Sequence, residues 1–331
     1  MSRWTRRARL VLAISAALAI TACGESLDSD NRNVAPAETG KEGWPEKIVY
    51  GMTPTDEATD MARRYDPLEK YFNKCLDHPF ELFVGTDYNT MIEAMRTGNA
   101  HIARFGPFAY ILAHERAGAE ALAVALEGGD SPIYRSLIIT RKSYGFDDLA
   151  DLEGKKFAFV DPTSASGHLF PRALIANEMG ISSDEVDDWF SDVVYAGNHE
   201  ASLLSVLNGD TDAGALASIA TALVYENGTW KLRPDSEFAD HENADDFMVL
   251  AESEDIPNTV DAVQKDLPDS LKKALLACFE GVAEAPSLAD FREEMGGGEG
   301  YGFAAAKDSD YDPVRKTAKA LGMSPEELLE Q

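Results

Sequence analysis

The sequence predicts an α/β protein of two lobes, built on mostly parallel sheets and closing on a cleft like a clamshell. Three observations carry that expectation. From Ile48 onward, short apolar β-like runs alternate with amphipathic helical ones, the rhythm of parallel strands joined by right-handed helical crossovers. The rhythm breaks at YRSLIITRK (134–142) and then restarts as a second α/β unit. Finally, the 331 residues are 44% hydrophobic and 27% charged, enough chain for two lobes of roughly 100 to 150 residues each.

The N-terminus comes first. MSRWTRRARL places Arg3, Arg6, Arg7 and Arg9 ahead of VLAISAALAITA. A positive start, a short apolar stretch and small residues make an export signal over 1–22, too short to span a bilayer comfortably. Arg6-Arg7 invites a twin-arginine reading, but Arg9 stands where that motif prefers an apolar residue. Ile20-Thr21-Ala22-Cys23 resembles the bacterial lipobox, whose cysteine is diacylated through its sulfur after cleavage. A plain signal peptide that happens to contain Cys23 is the alternative. Residues 23–45, polar and rich in Gly, Pro, Ser and Asp, read as a flexible tether. The mature chain is then expected to be an exported lipoprotein, anchored to the cell membrane through lipid only and facing the periplasm or the cell exterior.

The first part of lobe 1 is expected over 46–139. KIVYGM, FELFVGT and HIARFG read as strands, and DEATDMARRYDPLEKYFNKCL, TMIEAMRTG and PFAYILAHERAG as the helices that follow them. Lobe 2 is expected over 140–246, where KKFAFVDP, DVVYAG and TDAGALA read as strands, and SGHLFPRALIANEMG and HEASLLSVLNGD as helices. DDFMVLAES returns the chain to lobe 1 over 247–331, which ends in the helical segments SLKKALLACFEGVAE, YDPVRKTAKALG and SPEELLEQ. MGGGEGYG (295–302) is glycine-rich, but it lacks a preceding strand and a GK[ST], so it reads as a connection rather than a nucleotide loop.

Charge narrows the partners. With 58 acidic against 30 basic residues the net charge is −28, which argues against a nucleic-acid-binding face. Cys75 and Cys278 remain after cleavage, about 200 residues apart and without a CxxC. Export permits a disulfide between them, and two buried thiols are the alternative. No metal or cofactor motif is present.

The most informative stretch is FVDPTSASGHLFP (159–171). Pro171 has no N–H and is comfortable only in the first turn of a helix, so a helix is expected from near Gly167, with Ser164 and Ser166 in the turn before it. The first N–H groups of a helix lack intrahelical acceptors and carry the positive end of its dipole. Two serine hydroxyls there, and a glycine admitting a ligand to the backbone, suit a tetrahedral oxyanion. A serine-rich N-cap that serves only the helix is the plainer reading.

DPTSASGHLFP resembles the DP-x-S-T/A-S-G-x-L-x-P signature of phosphonate-binding proteins, which feed phosphate/phosphite/phosphonate ABC importers. The resemblance runs from about 47 to 325, through TDYNTMIEAMRTGNAHIARFGPFAY, GNHEASLLSVLNGDTDAGAL, IPNTVDAVQKDLP and DSDYDPVR. It implies a type II periplasmic binding protein fold, a small phosphorus oxyanion as ligand, an ABC importer permease as partner, and no cofactor. It also implies that Ser164, Ser166 and the N–H groups of Gly167 and His168 hold the anion. Ala165 stands where the family often has Thr, so one hydroxyl is lost, with Thr163 as the candidate to replace it. His199 in GNHE matches a family histidine that bonds the anion, or else caps its helix. Tyr88 matches a cleft-facing tyrosine and Tyr134 sits on the hinge strand, core packing being the alternative for each.

An exported phosphorus-ester hydrolase, or a ligand-sensing module on the same fold, are the competing classes. The chain contains no G-x-S-x-G and no H-E-x-x-H, the motifs that a hydrolase of either common type would show. The expectation is therefore a monomeric, non-enzymatic binding protein for phosphite or a small phosphonate such as methylphosphonate, with aminoethylphosphonate and phosphate as alternative ligands. For the anchor, Cys23→Ala is expected to abolish incorporation of a fatty-acid analogue during metabolic labelling. Equal label on wild type and variant would rule the lipoprotein reading out.

Overall fold

The computed structural model describes residues 41–126, 132–220, 222–295 and 300–323. The expected signal segment, Cys23, most of the tether, the centre of the glycine-rich run and the last helix lie outside those residues.

The first sheet starts with β1 (Ile48–Met52), β2 (Phe80–Val84), β3 (Ile102–Phe105) and β4 (Ala119–Leu126). Between them run α1 (Ala58–Leu76), α2 (Tyr88–Arg96) and α3 (Pro107–Ala117). In α1 the buried residues Met61, Tyr65, Leu68, Phe72 and Leu76 recur every three or four positions, which lays one apolar stripe on the sheet. A two-residue strand β5 (Ile133–Tyr134) leads out of this lobe.

The second sheet takes β6 (Ser136–Arg141), β7 (Lys156–Phe159), β8 (Asp192–Tyr195) and β9 (Ala213–Ala217). Here α4 (Phe170–Met179), α5 (Val186–Trp189) and α6 (His199–Asn208) make the crossovers. After the hairpin of β10 (Leu223–Glu226) and β11 (Thr229–Leu232), β12 (Phe247–Glu252) closes this sheet. The chain then passes through β13 (Ile256–Pro257) into β14 (Val260–Gln264), α7 (Asp269–Glu280), α8 (Ala289–Glu294), β15 (Gly302–Ala305) and α9 (Asp312–Ala320).

The sheet orders are β15-β4-β14-β3-β1-β2 and β12-β6-β9-β7-β8. In the first, β1 to β4 run one way and β14 and β15 the other; in the second only β6 opposes its neighbours. The mostly parallel, two-lobed architecture read from the sequence is what forms.

The expected lobe boundaries need correction. β6 and β12 pair with each other as antiparallel neighbours, and both belong to the second sheet. Cuts at 139/140 and 246/247 would split one strand and misassign the other. The passages between sheets fall instead at β5 and β13, which form their own antiparallel pair. Alternation alone cannot show this, because a strand that leaves one sheet looks like a strand that enters the next.

A shared apolar cluster joins the lobes. Phe105 and Phe108 from the first, Leu169 and Phe170 from the second, and Val314 of α9 pack in it, all nearly inaccessible to solvent. On the far side of the first sheet, Cys75 of α1 and Cys278 of α7 form a disulfide, deciding the alternative that the sequence left open. Among the described residues, no helix is long and apolar enough to cross a membrane.

The disulfide closes a span of 203 residues, and constraining the unfolded chain this way is worth about 5 kcal/mol in the chain-entropy account, with 2–5 kcal/mol typical of native bridges. Reductant, or Cys75→Ser with Cys278→Ser, is expected to lower the melting temperature by on the order of 10 °C in scanning calorimetry while leaving ligand affinity intact. An unchanged melting temperature would contradict the bridge.

Candidate functional site

Strands of both sheets end toward one small cavity of about 80 Å³. A water molecule needs only about 10–15 Å³ on the same measure, so the space suits a small polyatomic ion and is far below that of a drug-sized site. Its walls include Thr53 and Gly106, just past β1 and β3, and Ser164 to Ser166, past β7. His199 opens α6, and Tyr134 stands on the passage between the sheets.

The turn after β7 has more structure than the sequence suggested. Ser164 is the N-cap of a single π-type turn, Ala165–Leu169, which runs directly into α4. Leu169 N–H donates to the Ser164 carbonyl over 3.0 Å, five residues back. Such π-turns insert one residue into a helix and are frequent at functional sites. The turn is pinned on two sides: Ser136 Oγ donates to the Ser166 carbonyl (2.6 Å), and Val160 N–H donates to the Gly167 carbonyl (2.9 Å). Ser164 and Ser166, both almost fully buried, are thereby fixed against the cavity.

Gly167 and His168, expected to offer N–H groups to an anion, stand outside the cavity wall. Gly167 N–H already donates to Ser164 Oγ (3.0 Å). A Cβ at 167 would collide with Val160 and lie 2.8 Å from Ser164 Oγ, so the glycine is required by packing and not by ligand approach. The His168 ring donates from Nδ1 to the Pro162 carbonyl (2.9 Å) and accepts at Nε2 from Arg172 Nε (3.1 Å) and the Tyr195 hydroxyl (3.2 Å). Burial and the Arg172 charge push its pKa down to about 3, so it is a neutral brace inside the second lobe. Thr163 does not replace the hydroxyl missing at Ala165, because its own Oγ1 and N–H both donate to Asp161 (2.7 and 2.8 Å).

The other expected residues are brought together. Tyr88, first residue of α2, is buried, and its hydroxyl bonds the Ser164 side chain across the cleft. Burial, with Asp161 adding to it, raises the phenol's pKa well above its ordinary value, so it stays protonated. His199 is also buried, and burial lowers it to about 4. Ala217 N–H donates to His199 Nδ1 over 3.3 Å. A neutral ring that accepts at Nδ1 carries its proton on Nε2 and has a donor left for a ligand.

The sequence reading missed the charge. Arg64 and Arg104 both line the cavity, as do Asp56 and Thr259. Asp56 accepts from Arg64 Nη1 at 2.7 Å. Arg104 lies mid-strand in β3, where all four residues are buried. An arginine inside the apolar run HIARFG was the available signal, since buried charge needs a partner. The lobes also touch through backbone: His199 N–H donates to the Thr55 carbonyl and Glu57 N–H to Glu200 Oε2, each over 3.0 Å. Burial, aided by Asp56, raises Glu200 to about 7.

Gly167→Ala is expected to destabilise the fold by about 1–3 kcal/mol through overpacking against Val160, read by denaturant unfolding. Normal stability with lost anion binding would restore a ligand-facing role to Gly167.

A family model described as "ABC transporter, phosphonate, periplasmic substrate-binding protein" matches residues 50–311. The chain is 31% identical over 304 residues to the phosphate-import protein PhnD of Mycolicibacterium smegmatis, covering 87% of this chain and 89% of that one. It is 26% identical to the phosphonates-binding periplasmic protein of Escherichia coli, over 92% of this chain and 84% of that one. Among solved structures, PhnD1 from Prochlorococcus marinus in complex with methylphosphonate superposes with a TM-score of 0.71 at 18% identity, over 84% of this chain and 99% of that one. Because the family model spans most of the chain, and the two sheets close on a cavity of hydroxyl, imidazole and guanidinium donors, the chain belongs to the periplasmic substrate-binding proteins of phosphonate ABC transporters.

Proposed function

We propose that this chain is an extracytoplasmic lipoprotein, tethered through Cys23, that captures phosphite or a small phosphonate such as methylphosphonate and delivers it to an ABC importer. The observation that carries the ligand choice is the 80 Å³ cavity closed by both lobes. Its protein donors, from Ser164, Ser166, Tyr88, Tyr134 and His199, converge from several directions, as an anion with three oxygens requires. Reversible capture suits such a wall, because hydroxyls and a neutral imidazole hold an anion without supplying metal-activated water. An aminoethyl tail fits poorly: the carboxylate in the wall, Asp56, is already paired with Arg64 at 2.7 Å.

Phosphate is the second reading, and the same Asp56 favours it. A carboxylate accepts a hydrogen bond from a P–OH group, which phosphate at neutral pH retains and fully ionised methylphosphonate lacks. The relative named as a phosphate-import protein points the same way.

Titration calorimetry of the mature chain with phosphite, methylphosphonate, phosphate, aminoethylphosphonate and sulfate is the test. Phosphite or methylphosphonate is expected to bind tightest. Ser166→Ala is expected to weaken that binding about ten- to a hundred-fold, as for the loss of one hydrogen bond to a charged group. Ser164→Ala adds a stability loss of about 1 kcal/mol, since it also removes a cap. Phosphate binding tightest would install the second reading, and no response to any phosphorus anion would sink both.

A further inference from the structure

The register of the first sheet sets Arg104 of β3 directly opposite Asp261 of β14, so the two side chains emerge on one face of the antiparallel pair. Both are buried, Arg104 to 6% exposure and Asp261 to 0%. Arg104 Nη2 donates to Thr259 Oγ1 (3.1 Å) and to the Tyr301 hydroxyl (3.4 Å). Its guanidinium lies over the rings of Phe303 (5.4 Å) and Tyr65 (5.9 Å). The remaining contact is incomplete. Nη1 stands 3.8 Å from Asp261 Oδ2, too far for a hydrogen bond, and neither atom has another partner among the described residues. The Tyr50 hydroxyl satisfies Asp261 Oδ1.

Buried polar atoms without partners are rare in native proteins, and one on a cation is costly. Here the arginine is also part of the wall of the small cavity, as is Thr259, which holds it. Two features therefore coincide: a buried guanidinium whose Nη1 has no hydrogen-bond partner, and a cavity of the size of a small anion that the same side chain helps to wall. Surrounding rings exclude water, so a charge in this position acts at short range with little screening.

Resting on the reading of the cleft as a phosphorus-anion site, we propose that Arg104 is a ligand-contacting, specificity-determining residue. Its guanidinium donates to an anion oxygen, and Asp261, directly opposite, sets how much of its charge the ligand meets. Apart from Arg64, whose charge is already paired with Asp56 at 2.7 Å, the other donors of the wall are neutral and would serve any tetrahedral oxyanion. Arg104 supplies what separates a doubly charged phosphorus anion from a singly charged sulfonate of the same shape. Burial holds Asp261 at about 6, even against the pull of Arg104, so in mildly alkaline solution the carboxylate is charged and competes with the ligand for the guanidinium.

Methylphosphonate and methanesulfonate have nearly the same shape and differ by one charge, so their affinity ratio reads the proposal directly. Calorimetric titrations at mildly alkaline pH would compare the wild-type mature chain with Arg104→Met, Asp261→Asn, the double variant, and Ser166→Ala. Arg104→Met is expected to weaken methylphosphonate about ten- to a hundred-fold and to shrink its advantage over methanesulfonate. Asp261→Asn is expected to tighten methylphosphonate several-fold, because it removes the competing carboxylate while Arg104 stays. The double variant leaves no uncompensated buried charge and keeps the fold accessible if Arg104→Met alone does not; it is expected to bind as weakly as Arg104→Met. Weakening by Asp261→Asn, or an unchanged methylphosphonate-to-methanesulfonate ratio in the double variant, would make the pair structural and overturn the proposal. Wild type indifferent to every phosphorus anion would instead remove the reading of the cleft. Wild-type binding that falls with Ser166→Ala but keeps its ratio without Arg104 would remove this inference alone.

Discussion

The constraint on which the rest depends is that two sheets end at one point. Strands carry their neighbouring loops with them, so a cavity formed where β1, β3, β7 and β9 stop is walled by strand-end residues whatever their identity. What the sequence chooses is which groups stand there, and it chooses donors. Hydroxyls, an imidazole that keeps its proton on Nε2, a Tyr88 phenol held protonated by burial, and two arginines present hydrogen, against the one carboxylate of Asp56. In a small space a wall dominated by donors is selective before any contact is optimised, because a guest without acceptors would leave those donors unmatched.

Much of this was legible in the sequence, and the exceptions have physical reasons. The alternation of strand and helix and the turn after Phe159 depend on local pattern, which one chain displays in full; Tyr88 and His199 stand out only through the family resemblance. At Ser164 the structure joins two features that the sequence presented as alternatives. Ser164 caps its turn and also lines the cavity, so a capping role there does not exclude a place in the wall. Gly167 was found for the wrong reason: its neighbour Val160 is seven residues earlier, and nothing in a linear reading shows that the chain folds back on itself so tightly. Arg104 and Asp261 were missed because their relation is a register between strands nearly 160 residues apart. Each looks like an oddity in an apolar run until the other is opposite it.

The lobe boundaries failed for a related reason. β12 and β6 are the edge and next-to-edge strands of the second sheet, held to each other over most of their length. The two passages between the sheets are consequently brought side by side at β5 and β13. Two adjacent connections restrict relative movement to something near a single axis, whereas one connection would leave the lobes free to swivel.

That hinge, together with the bonds from His199 N–H to the Thr55 carbonyl and from Glu57 N–H to the Glu200 side chain, bears on time rather than on affinity. A guest held between the lobes is retained partly by contacts that join them. Its release is eased when those bonds break and the apolar cluster around Phe105 and Phe170 parts. Residence is then governed by how often the lobes separate, and guests of different strength share one exit step. A membrane partner that grips the two lobes and draws them apart would empty the cleft without touching the guest at all.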